Sequence, residues 1–126
     1  MNQRETLLCG AVLGGLGVAL GAIGAHALKP MLMANGRIET YEIAVRYQVV
    51  HALALLMTGV LMAQVQNKTL RWAASCWVGG VLLFSGSLYA LSFTSMRAFA
   101  FLTPVGGFLF LAGWAFLFVA ILKIRH

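Results

Sequence analysis

Acidic residues are almost missing from this chain. Glu5, Glu39 and Glu42 are the full set, and there is no aspartate in 126 residues. Charged residues of both signs make up 10% of the sequence, against roughly 25% in a soluble globular domain. So few charges cannot solvate the surface of a water-soluble protein of this size, which excludes a soluble enzyme and a disordered chain. Without aspartate there is no Ser/His/Asp set for hydrolysis. Cysteine is equally scarce. Cys9 and Cys76 stand alone inside apolar runs, far from a C-x-x-C pattern, which excludes a disulfide scaffold and leaves them as small packing residues.

What is abundant is apolar: 61% of the residues are hydrophobic and the mean hydropathy is +0.90. The formal net charge of +6 comes from nine Lys and Arg residues. In a soluble domain that balance would suggest nucleic acid. Here the basic residues are scattered singly or in pairs between apolar runs, the pattern of membrane flanks, so no nucleic-acid partner is expected.

Uncharged runs suggest four transmembrane helices at about 6–28, 43–65, 72–95 and 99–122, with a loop at 29–42 that holds an amphipathic helix start. Helices of about 20 residues cross a hydrocarbon core of ~30 Å, and they satisfy their own backbone groups in lipid. The expected fold is therefore all-α: one membrane domain, an antiparallel four-transmembrane-helix bundle with both termini on one side. Ala25-His26-Ala27 has the look of a cleavage site, but the first apolar run is too long for a signal peptide, so it is expected to remain as a span. Arg4, Lys68, Arg71, Lys123 and Arg125 fall on the side of the termini, whereas Lys29, Arg37, Arg46 and Arg97 fall on the other. That asymmetry favours termini in the cytoplasm.

In the first connection, Lys29-Pro30 is expected to end the first helix, because the residue before proline is pushed out of the α region. Asn35-Gly36 signals a turn. From Arg37 the helical pattern resumes, with Glu42 and Arg46 spaced i,i+4 for an ion pair.

Gly10, Gly14, Gly17, Gly21 and Gly24 are spaced 4, 3, 4 and 3 residues apart, forming one stripe on the first helix. Such a stripe lets a neighbouring backbone come close, so these glycines are read as helix-packing positions and, secondarily, as a homo-oligomer contact.

Polar residues collect at the end of the bundle that carries the first and third loops. His26 closes the first helix. Tyr41, Glu42, Arg46, Tyr47, Gln48 and His51 begin the second. Ser85, Tyr89 and Ser92 share a face of the third, and Thr103 begins the fourth. Polar groups at membrane depth are expensive, and they serve either as a binding site or as interhelical glue. We take His26, Tyr41, Glu42, Arg46, Tyr47, Gln48, His51, Ser85 and Tyr89 as ligand-binding candidates. The two histidines differ in depth, and no further ligand set accompanies them, so no metal, haem or other cofactor is expected.

Four ordered blocks then become recognisable: Gly21-Ala22-x-Gly24-Ala25-His26-x-Leu28; Tyr41 through Tyr47-Gln48-x-x-His51-Ala52-Leu53; Phe84-Ser85-Gly86-Ser87-Leu88-Tyr89; and Thr103-Pro104-x-Gly106-Gly107 with Gly113-Trp114. Together they resemble the YgdD/YwdK-like family of small multi-pass bacterial inner-membrane proteins, a domain of unknown function. The resemblance covers nearly the whole chain. It implies a four-helix membrane protein and transfers no catalytic residue. The expected function is therefore non-enzymatic: an accessory or binding protein whose polar end takes a lipid headgroup, a quinone-like ligand or a partner protein, with membrane lipids as neighbours. The alternative is an oligomeric small-molecule or ion transporter or channel.

Overall fold

The computed structural model describes residues 1–124; Arg125, counted above among the charges beside the termini, lies outside them. The chain forms α1 (Gln3–Ala25), α2 (Lys29–Ala34), α3 (Ile38–Gln64), α4 (Lys68–Gly80), α5 (Gly86–Thr94) and α6 (Leu102–Leu122), with no strand among the described residues. A π-helical stretch, Val81–Ser85, joins α4 to α5, so the third span runs from Lys68 to Thr94. A 3₁₀ turn, Arg97–Phe101, leads into α6 and completes the fourth span, Arg97–Leu122. Four helices are thus long and apolar enough to cross a membrane.

Local chemistry explains the boundaries. Asn2 caps α1 reciprocally with Glu5: its side chain accepts from the Glu5 amide and its own amide donates to the Glu5 carboxylate, both at 2.9 Å. Asn67 caps α4 by accepting from the Thr69 amide at 2.8 Å. The first helix ends at Ala25, three residues before the expected boundary, with His26 as its C-cap. Pro30 does not stop that helix. It sits in the first turn of α2, where its missing N–H costs nothing. Gly36, at φ +64°, makes the left-handed turn into α3 that side chains disfavour. α3 has 27 residues, about 40 Å at 1.5 Å per residue, so it overruns a ~30 Å hydrocarbon core.

α1 is the outermost helix and packs on α3. A Cβ on Gly10 would press on Leu56 and the Ala52 carbonyl, one on Gly17 on Val49, one on Gly21 on Val45 and one on Gly24 on the Tyr41 ring; Gly14 faces Ala52 more loosely. All five glycines of the stripe therefore face α3 of the same chain. The third and fourth spans come equally close beside the π-helical stretch, where a Cβ on Gly106 would overlap the backbone of Phe84. The apolar core lies between α3, α4 and α6, around Leu55, Leu70, Ala73, Ala74, Trp77 and Phe110.

Candidate functional site

The polar residues of α3 form a ladder that reaches the middle of the bundle rather than staying at one end. At the loop end, the Asn35 amide nitrogen donates to the Ser92 carbonyl at 3.3 Å. Next, buried Tyr41 donates its hydroxyl to the Leu20 carbonyl of α1 at 2.6 Å, and its ring meets Tyr89 edge-on at 5.3 Å. Ser85 donates to the Ala44 carbonyl at 2.7 Å. Buried Gln48 donates to the Leu13 carbonyl at 2.9 Å while its side-chain oxygen accepts from the Tyr89 hydroxyl at 2.7 Å. Ser87 and Thr103 share a hydroxyl–hydroxyl bond at 2.6 Å across the third and fourth spans. Every rung joins two segments, which is what polar groups do in an environment offering no water.

The deepest rung is His51, about 20 Å along α3 from Ile38. Its Nε2 accepts from the Trp114 indole N–H at 3.1 Å, and its Nδ1 lies 2.7 Å from the Tyr47 carbonyl. A carbonyl can only accept and an indole N–H can only donate. The imidazole is therefore neutral, with its proton on Nδ1, and both nitrogens are engaged. Phe110 stacks on it at a centroid distance of 3.7 Å and 7°. Among the described residues, no group of three His, Cys, Asp or Glu side chains is arranged to hold a metal ion.

Beside this pair, a groove of about 470 Å³ between α3 and α6 is lined by Tyr47, His51, Phe84, Pro104, Gly107 and Trp114, among others. A second hollow of about 340 Å³ continues between the same helices, past Trp114 towards Ile121. Trp114 belongs to both hollows, so it is the partition between them. Phe108 and Leu111, 73% and 66% exposed, form the outer lip of the upper groove, which places its mouth in hydrocarbon.

The sequence-derived candidates thus separate into three groups. Tyr41, Gln48, Ser85 and Tyr89 are joined to one another or to neighbouring helices by the ladder. Tyr47 and His51 line the groove. Glu42 and Arg46 are both exposed and line a different hollow, on the α1 side of α3; among the described residues they form no ion pair with each other, despite their spacing. His26 is exposed at the end of α1 and joins none of these groups. Sequence reasoning missed Phe84, Pro104, Phe110 and Trp114. The available signal was the i,i+4 spacing of Phe110 and Trp114 beside Gly106 and Gly113 on one face of an otherwise uniformly apolar helix.

Four apolar spans, a hydrogen-bonded ladder and a lipid-facing groove define a small α-helical integral membrane protein. The chain belongs to the family described as "Protein of unknown function (DUF423)", whose model matches residues 20–107. It is 40% identical to the UPF0382 inner membrane protein YgdD of Escherichia coli strain K12, over the whole of this chain and 95% of the relative. A UPF0382 membrane protein of Haemophilus influenzae is 43% identical over 90% of this chain and 88% of its own length. Another, from Staphylococcus haemolyticus, is 38% identical over 93% and 94% respectively. No solved structure matches the chain.

Proposed function

We propose that this protein is a non-enzymatic lipid-binding protein that holds one hydrocarbon chain of a membrane lipid in the groove between α3 and α6. The observation that carries this reading is the groove itself, floored by the stacked His51–Phe110 pair and opening to hydrocarbon beside Phe108 and Leu111. From Pro104 to Trp114 it extends about 15 Å at 1.5 Å per residue, half of a ~30 Å hydrocarbon core, which matches a chain entering from one leaflet. Trp114 closes its deep end. Tyr47 lines its wall, and with 41% of its surface exposed it offers a hydroxyl to the polar end of the same lipid. The ladder serves this site by fixing α3 against α1 and the third span, so that the groove keeps its shape with its ligand absent.

A photocrosslinking amino acid tests the reading. Placed at Leu111 on the lip, it should capture one lipid class in high yield after illumination in native membranes. Placed at Val12, exposed on α1 away from the groove, it should capture the bulk lipid mixture. The same mixture at both positions would overturn the proposal. An isoprenoid quinone captured at Leu111, rather than a phospholipid, would identify the ligand class within the same site.

A further inference from the structure

Glu42 and Arg46 line a hollow of about 230 Å³ on the opposite side of α3 from the groove, together with Gly21, Gly24, Leu32 and Tyr41. Gly21 and Gly24 of α1, in close contact with Val45 and the Tyr41 ring of α3, form one wall, and Leu32 of α2 lines another. Both charged side chains are exposed and neither is hydrogen-bonded within the described part of the chain. They lie about 6 and 12 Å along α3 from Ile38. If the ~40 Å helix is centred in a ~30 Å hydrocarbon core, about 5 Å projects at each end. Glu42 then stands at the hydrocarbon boundary and Arg46 about 7 Å below it, within snorkelling reach of the headgroups.

A carboxylate and a guanidinium at this depth are costly without counter-charges. Residues i and i+4 on a helix are separated by about 5–6 Å between Cβ atoms, and these two line one small cavity with opposite charges and, among the described residues, without a direct ion pair between them. The complementary ligand carries one phosphate diester and, a short linker away, one ammonium with N–H donors. The guanidinium would take the phosphate in a two-pronged charge-assisted contact, and the carboxylate would accept from the ammonium. We infer that this hollow is a headgroup site for an aminophospholipid of the phosphatidylethanolamine type. It is independent of the α3–α6 groove and does not require the same lipid to fill both.

The test reconstitutes the full chain in vesicles containing equal amounts of phosphatidylethanolamine, phosphatidylcholine and phosphatidylglycerol, re-extracts it gently and quantifies the retained lipids. Choline has no N–H to give Glu42, and glycerol has no cation. The wild type should retain phosphatidylethanolamine about tenfold over phosphatidylcholine, the ratio expected from one hydrogen bond to a charged group. Glu42→Gln should bring that ratio close to one, and Arg46→Gln, which removes the contact to the phosphate that all three lipids share, should lower the retention of all three. Gly107→Leu, which alters only the groove, should leave the preference intact, so failure of this site and failure of the groove are distinguishable. Equal retention of the three lipids by the wild type, or an unchanged preference in Glu42→Gln, would overturn the inference. Circular dichroism of each variant identifies any that has lost its fold; Glu42→Ala then replaces Glu42→Gln with the same expected loss of preference, and the charge-conserving Glu42→Asp should keep it.

Discussion

The Trp114 indole donates to Nε2 of His51 at 3.1 Å and so ties the fourth span to the middle of the second. The bond does two things at once: it fixes the imidazole tautomer, and it holds the indole as a partition between two lipid-facing hollows. Trp77 supplies the contrast. It is fully buried 4.9 Å from Trp114, centroid to centroid, yet among the described residues its indole nitrogen has no hydrogen-bond partner. Two indoles thus lie beside one imidazole that has a single acceptor, and Trp114 occupies it.

That difference predicts unequal effects from the same substitution. Trp114→Phe leaves His51 Nε2 without its donor and should destabilise the bundle by about 1–2 kcal/mol, the upper range for an interhelical hydrogen bond in a membrane. Trp77→Phe removes an N–H that has no partner to lose, so its cost should be smaller and arise from packing alone. Unfolding of both variants in mixed detergent micelles measures the two values.

The ladder predicts coupling. Gln48→Leu and Tyr89→Phe each remove one side of the same 2.7 Å bond, so their effects should be less than additive. A double-mutant cycle should return an interaction of about 0.6 kcal/mol, the average for such bonds in membrane bundles. Tyr41→Phe, which breaks a separate bond to the Leu20 carbonyl, should combine with Gln48→Leu more nearly additively.

The glycines predict a position-dependent series. Gly106→Ala drives a methyl group into the Phe84 backbone, and Gly24→Ala drives one into the Tyr41 ring. Each should cost about 1–3 kcal/mol, as overpacking does. Gly15→Ala meets nothing within 4 Å; it should be neutral or stabilising by up to about 1 kcal/mol through helix propensity. Thermal unfolding of the three variants side by side gives the comparison.

Orientation is open to an equally direct check. The basic residues favour termini in the cytoplasm, so a C-terminal fusion to green fluorescent protein should fluoresce, while a C-terminal fusion to a periplasm-dependent phosphatase should be inactive. Active phosphatase would invert the arrangement.

The spans could be read from the sequence because membrane thickness sets their length, and charge interrupts each apolar run where water begins. The gathering of polar residues on α3 and α5 was legible from helical spacing in the same way. Pro30 was misread because proline stops one helix and starts the next with equal ease; the outcome depended on Ala25 and His26 having already ended α1. The π-helical stretch left no trace in the apolar run Val81–Phe84. His51 was visible as a polar residue at depth, but its partner was not: Trp114 sits among phenylalanines and leucines, and only the approach of α6 to α3 sets it apart. Glu42 and Arg46 show the reverse. Their spacing predicts a pair, yet both are exposed and, among the described residues, form no ion pair with each other.

The most direct test of the lipid-binding account is native mass spectrometry of the gently solubilised wild type beside Gly107→Leu. Gly107 lines the groove, and a Cβ there would have ordinary contact with Phe84 at 3.9 Å, so leucine can fill the groove without disturbing the helix contact. The account predicts one more lipid retained on each wild-type chain than on Gly107→Leu, at unchanged thermal stability. Equal lipid retention by the two proteins, or a wild type that carries no lipid, would contradict it.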